Sequence, residues 1–208
     1  MKSGLSIDDQ ETDLLQRARC GCVQSRDKLL CLHQPRLLRM VEFRMSPLLA
    51  RRVDPSDVVQ DALIVAASRL TEFLANESMS FFVWLRWITR DRLTDLHREH
   101  LGAQKRDAQR EVHIDSAIPA ASSLQLADAL VGHLTSPSRV AAREELRLVI
   151  QSGLAQLDPE EREILVLRHY EQLSLEEAAQ CLQMSKSGAN KRHLKALREL
   201  RKLLQPVL

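Results

Sequence analysis

The chain has 208 residues, room for one large or two small domains, and a formal net charge of +2. Thirty-six leucines, against thirteen glycines and prolines together, favour helix throughout, and no segment alternates β-branched residues as a strand would. The N-terminus, MKSGLSIDDQETD, lacks the basic and apolar regions of a signal peptide, and no apolar run is long enough to span a bilayer, so a cytoplasmic location with no membrane contact is expected.

The first helical pattern carries Leu14, Leu15 and Ala18 and breaks near Gly21. A second carries Leu29, Leu30, Leu37 and Leu38, with Pro35 as a kink or boundary. In VDPSDVVQDALIVAASRLTEF, Asp54 is suited to cap a helix, Pro55 to its first position, and Asp57 to reach back as a capping-box acid. Val59, Leu63, Ala66, Leu70 and Phe73 then recur at helical spacing.

The stretch SFFVWLRWITRDRLTDLHREH makes the last long helix of the first half and holds four of the seven aromatic residues. On a helical wheel Phe81, Leu85, Ile88 and Leu96 form the apolar centre, with Phe82 and Leu93 on one edge and Trp84 on the other. Trp87 points away from that centre, among Arg90, Thr94 and Arg98. An indole beside arginines suits stacking on an unpaired base.

Between Val112 and Ser138 the chain turns rich in Ala, Ser and Pro and nearly free of charge, as a linker does, with a short helix over 124–131. The predicted organisation is all-α: an N-terminal helical domain over 1–111, a linker over 112–138, and a C-terminal helical domain over 139–208.

The C-terminal block predicts four helices. One starts near Ser136-Pro137 and runs through Leu146, Ile150 and Leu157. Asp158-Pro159-Glu160-Glu161 opens the next, with a cap, a proline and two acids at the positive end of the helix dipole. Ser174 and Glu177 form a capping box ahead of Ala178, Ala179 and Leu182. After a turn at Gln183-Met184-Ser185 the final helix runs to about Leu204. This short-then-long pair has the form of a helix-turn-helix.

Charge is unevenly placed along it. Asp158 to Glu177 holds seven acids and two bases, whereas Lys186 to Lys202 holds seven bases and one acid. Lys191, Lys195, Arg198 and Lys202 share one stripe of the last helix, opposite Ala189, His193, Ala196, Leu197, Leu200 and Leu204. Four cations in a stripe suit a phosphate surface, where counterion release supplies affinity, and the polar Ser187 and Asn190 stand where a recognition helix meets base edges. The alternative is a solvated basic face on a packing helix. Gly188 either lets backbone approach DNA or is simply tolerated.

At these residues the chain resembles a known family. LAQLDPEEREILVLRHYEQLSLEEAAQCLQMSKSGANKRHLKALREL resembles the C-terminal promoter-binding domain of bacterial RNA polymerase sigma factors. DPSDVVQDAL followed by FVWLRWITRDRLTDLHREH resembles their N-terminal core domain, and the two-domain layout is similar to the extracytoplasmic-function group. The resemblance implies an alternative sigma factor that binds core RNA polymerase, at its clamp helices and flap, and promoter DNA, both duplex and melted. It implies polymerase contacts at Asp54, Asp57, Gln60 and Asp61, and minus-ten contacts at Trp84, Trp87, Arg90 and Arg98, on a helix that also carries Leu85 and Ile88. It implies minus-thirty-five contacts at Lys186, Ser187, Asn190, Lys191, Arg192 and Lys195. An anti-sigma regulator fits the family, though no residue demonstrates one. Two positions depart from the pattern. Gln183 stands where the turn usually has Gly, so a turn of different shape is expected, and Asp91 replaces a common Asn.

The resemblance implies no catalytic site and no cofactor, and neither paired carboxylates, a nucleophile elbow nor a phosphate loop appears. Cys20, Cys22, Cys31 and His33 raise zinc or redox sensing, but ligands two apart on a helix diverge, so free thiols and no metal are expected, with Cys181 as a packing residue. Two other readings stand beside the sigma factor. A helix-turn-helix repressor or activator acting without the polymerase would leave DPSDVVQDAL unexplained, and a helical adaptor held by protein partners would show no steep salt dependence on DNA.

Overall fold

Described in the computed structural model are residues 7–76, 78–101, 120–134 and 140–204. Helix is the only regular structure among them: α1 (Ile7–Arg19), α2 (Val23–Arg44), α3 (Pro55–Ala75), α4 (Phe81–Leu101), α5 (Ala120–Leu134), α6 (Val140–Gln156), α7 (Pro159–Leu165), α8 (Leu175–Cys181) and α9 (Lys186–Leu204), with a π-helical turn at Val166–Tyr170. The chain divides into two units, one of Met1–Glu42 and Pro47–Gln104, the other of Phe43–Ser46 and Lys105–Leu208.

In the first unit α1 ends where Gly21 takes φ +85. The Cys22 amide donates to Arg17 O and the Gly21 amide to Ala18 O, which satisfies two orphan carbonyls in a Schellman motif. α2 runs through Pro35, so the proline is no boundary. It sits on the exposed side, and the buried Leu29, Leu30, Leu37 and Met40 hold the helix on either side of the backbone hydrogen bond that proline cannot donate.

Asp54 caps α3 by accepting from the Ser56 amide at 2.8 Å. The Asp57 side chain does not close a capping box; it is exposed and makes no hydrogen bond among the described residues. α3 buries Val58, Val59, Ala62, Ala66, Leu70 and Phe73, and α4 packs along it. Leu63 of the predicted stripe is only half-buried. α4 is capped by Ser80, whose hydroxyl accepts from the Val83 amide at 3.3 Å. Phe81, Phe82, Leu85, Leu93 and Leu96 are buried as expected, while Ile88 is half-buried. Arg86, which the wheel did not single out, is 1% exposed.

His33 belongs to this core. Its ring lies 5.6 Å from Phe81 and 5.5 Å from Phe82, and its Nε2 is 2.9 Å from a Glu11 carboxylate oxygen on α1. Cys20, Cys22 and Cys31 are exposed, whereas Cys181 is buried. Hydrogen bonds from Ser25, first of all from its hydroxyl at 3.2 Å, hold the Cys22 thiol below its ordinary range. Among the described residues no three metal-ligating side chains gather.

In the second unit α5 packs on α6, and α6, α7 and α8 all pack on α9. The expected short helix at 124–131 lies inside the longer α5. Residues 112–119 and 135–138 of the expected linker, and the expected helix start at Ser136-Pro137, lie outside the described residues. Gly153 sets the approach of α6 to α9: a Cβ there would meet Leu200 Cδ1 at 3.0 Å. Asp158 caps α7 and Pro159 opens it, and the helix passes into the π turn. Ser174 and Glu177 form the full capping box of α8.

The turn between α8 and α9 departs from expectation. Gln183 itself takes the left-handed conformation, φ +52. The Met184 amide donates to Ala179 O at 3.0 Å and the Gln183 amide to Gln180 O at 3.1 Å, so glutamine occupies the position glycine favours in a Schellman motif. The two carbonyls satisfied, with α9 docked behind them, outweigh a left-handed cost of roughly 1–2 kcal/mol. Gln183→Gly is expected to stabilise the domain by about 0.5–1 kcal/mol, because glycine's extra freedom in the unfolded chain offsets part of the relief. A urea midpoint that falls in this variant would refute the strain argument.

Gly188 has a local explanation. The Ser185 hydroxyl caps α9 by accepting from the Gly188 amide at 3.1 Å, and a Cβ at Gly188 would press on that oxygen at 3.2 Å. Near the helix start a glycine leaves room for the cap.

Candidate nucleic-acid interface

α9 has a covered face and an open one. Ala189, Ala196 and Leu200 are buried, with His193, Leu197 and Leu204 half-buried beside them. Ser187, Asn190, Lys191, Leu194, Arg198 and Arg201 are all exposed, and at 3.6 residues per turn they share one stripe.

The ion pairs sort the cations. Arg192 Nη2 lies 2.8 Å from Glu160 and Lys195 Nζ 2.6 Å from Glu161, both on α7. Lys186 pairs with Glu176 at 2.9 Å, and Lys202 with Glu199 at 2.8 Å. Lys191, Arg198 and Arg201 make no ion pair among the described residues. The Lys195 ammonium is pushed above its ordinary range by the Glu161 hydrogen bond and charge. An open groove of about 650 Å³, lined by Asp158, Glu160, Glu161, Lys191, Arg192 and Lys195 among others, is therefore one whose charges largely answer each other. These pairs join residues some thirty positions apart, so no local spacing announces them.

A second feature was also beyond local patterns. His169 and His193 face each other with their Nε2 atoms 2.9 Å apart. One ring donates and the other accepts, so the pair cannot take a proton on both acceptor sites and survive. Burial first, then the Arg168 charge, hold His193 below the ordinary imidazole range. A lowered folded-state value means that the unfolded chain binds the proton more tightly. Stability is then fully present above about pH 6.5 and is lost as pH falls through that value toward the folded one. The urea midpoint is expected to fall between pH 7.5 and pH 5, and to fall less in His193→Leu; equal loss in both would refute the assignment.

On α4, Trp84 is half-buried and stacks on Phe73, with ring centroids 4.6 Å apart and planes 26° apart. Trp87 is half-buried too; its indole Nε1 is buried with no hydrogen-bond partner among the described residues, and the Arg90 guanidinium stands 5.8 Å from its ring. Arg90 reaches Asp91 at 3.5 Å. Arg98 is exposed, 4.0 Å from Asp95.

On α3, Asp54 spends its carboxylate on the cap, and the hydrogen bonds from Ser56 hold it below the usual carboxylate range. Asp57 and Gln60 are exposed. Asp61 accepts from Arg92 of α4 at 2.9 and 3.1 Å. Ile64, one turn on, is 69% exposed, an apolar member of this acidic face that a core-seeking reading passes over.

A capped helix-turn-helix presenting a polar and cationic stripe defines a DNA-binding transcription protein. Residues 153–202 match the family described as Sigma-70, region 4. The RNA polymerase sigma-H factor of Pseudomonas aeruginosa is 26% identical over 201 residues, covering 96% of each chain. The structure of CnrH in complex with the cytosolic domain of CnrY is similar with a TM-score of 0.54 and 25% identity, over 96% of this chain and 100% of that one. A complex of the sigma factor RpoE with the anti-sigma factor NepR from Bartonella quintana also matches, with a TM-score of 0.48 and 19% identity, over 89% of this chain and 100% of that one. Residues 153–202 thus carry a sigma-70 region 4 domain, and over 96% of its length the chain is similar to an RNA polymerase sigma factor. Its function is that of an alternative sigma factor directing transcription initiation, a regulatory role.

Proposed function

We propose that this sigma factor joins core RNA polymerase through the exposed Asp57–Gln60 face of α3, reads duplex DNA at the minus-thirty-five element with α9, and holds the melted minus-ten element with α4. The observation that carries the reading is the open stripe of α9, where Ser187 and Asn190 stand beside Lys191, Arg198 and Arg201, cations without an ion pair among the described residues. Short polar groups offer hydrogen bonds to base edges, and unpaired cations offer charge to phosphates. The ion-paired Lys186, Arg192 and Lys195 join at the margins of that surface. Asp54 and Asp61 mainly hold α3 in place, through its cap and through Arg92.

On this reading the protein supplies binding energy and the polymerase does the chemistry, so it is no enzyme itself. It works in the cytoplasm beside its DNA; no helix among the described residues is long and apolar enough to cross a membrane. A protein regulator that binds it is a further expected partner, as the cytosolic domain of CnrY binds CnrH. The test is transcription by purified core enzyme on a genomic library. New start sites are expected when the protein is added, and their absence under all conditions would overturn the proposal. Binding to DNA without co-purifying polymerase would favour a repressor or activator instead.

A further inference from the structure

Exposed large apolar side chains among the described residues are Val23, Leu48, Ile64, Leu148 and Leu194. Leu194 differs from the rest in its surroundings. It is 42% exposed in the middle of the open stripe of α9. Asn190 and Lys191 lie four and three residues before it, and Arg198 and Arg201 four and seven after it. The buried Ala189, Ala196 and Leu200 occupy the opposite side of the helix, so Leu194 serves no part of the core. A leucine that keeps this much of its surface in water among cations leaves part of its apolar area uncovered by the fold.

Its position along the helix is informative. Seven residues separate Ser187 from Leu194, about 10 Å at the helical rise, which is close to three base-pair steps of about 3.4 Å. A helix laid in the major groove with Ser187 and Asn190 at base edges, and Lys191 and Arg198 toward phosphates, brings Leu194 to a base edge further along. The one apolar group on major-groove edges is the thymine C5-methyl.

We propose that Leu194 is a specificity-determining residue that packs on the C5-methyl of one thymine in the duplex element read by α9. This rests on the function proposed above and adds the chemistry of one base position to it. The contact removes the methyl and the leucine from water together. It favours thymine over cytosine, which lacks the methyl, and over uracil, which keeps every hydrogen-bonding group of thymine.

The test uses holoenzyme assembled from core polymerase and the full chain. Duplexes that it binds are selected from a random library, and each thymine of the selected element is replaced in turn by deoxyuridine. At one thymine the swap is expected to weaken binding about fourfold, the effect of exposing a single methyl group. In Leu194→Ala the same swap is expected to change nothing, since the partner side chain is gone. A selected element without thymine, a swap tolerated everywhere, or a thymine–uracil difference that persists in Leu194→Ala would each overturn the inference. Those outcomes leave the proposed function standing. Failure of the holoenzyme to select any duplex would remove the proposed function, and the inference with it.

Discussion

Asp57→Arg is expected to lower affinity for core RNA polymerase at least tenfold while the chain stays folded, its melting temperature reduced by only several degrees. Asp57 lies in the first turn of α3, yet Asp54 does the capping there, through the Ser56 amide. The Asp57 carboxylate is exposed and makes no side-chain hydrogen bond among the described residues. Its replacement by arginine loses a favourable interaction with the helix dipole and adds an unfavourable one, about 0.6–2 kcal/mol together. Against a basic partner surface the reversal replaces attraction by repulsion, a change of several kcal/mol. Asp61→Arg is a poorer probe, because it also breaks the Asp61–Arg92 link between α3 and α4. Co-purification with core enzyme, read beside a melting curve, decides the matter. Retained binding by a folded Asp57→Arg would remove this face from the proposed polymerase contact.

Trp87→Ala is the second large effect. The variant is expected to keep duplex binding through α9 and to lose promoter opening by roughly ten- to a hundredfold, since base–aromatic stacking contributes about 1–3 kcal/mol. The two tryptophans differ in what holds them. Trp84 is stacked on Phe73 within the α3–α4 core, so its removal threatens the fold. Trp87 is half-buried, with its indole Nε1 covered and without a hydrogen-bond partner among the described residues, and has Arg90 beside its ring. Permanganate reactivity of thymines in the minus-ten region reports opening directly. Normal reactivity with the Trp87→Ala holoenzyme would assign Trp87 to packing alone.

Local rules made much of the fold legible. Asp54-Pro55, Asp158-Pro159 and Ser174 with Glu177 each mark a helix start where one forms, because capping depends on residues at most three apart. Spacing also separated the phenylalanines of α4 from Trp87. Where the outcome depended on tertiary partners, the sequence pattern misled or was silent. Pro35 passes inside α2 because buried leucines hold both flanks. Gln183 accepts a left-handed backbone because two carbonyls are satisfied by it. A wheel of α9 groups Lys195 with Lys191 and Arg198, and only the position of α7 pairs it with Glu161. The His169–His193 pair arises in the same way, from residues 24 positions apart.

The carboxylates of α7 also bear on how the protein behaves as the ionic medium changes. A cation that stays paired with Glu160 or Glu161 neutralises no phosphate, and so releases none of the counterions condensed on the DNA. If all seven basic residues of α9 met phosphates independently, log K would fall with log salt at a slope of about −6; the three unpaired ones give about −3. The shallower slope lets promoter affinity persist through an osmotic upshift that would strip a protein relying on bare charge. The remaining affinity must then come from base edges, so selectivity among promoters is set more by shape and contact than by the salt of the cell.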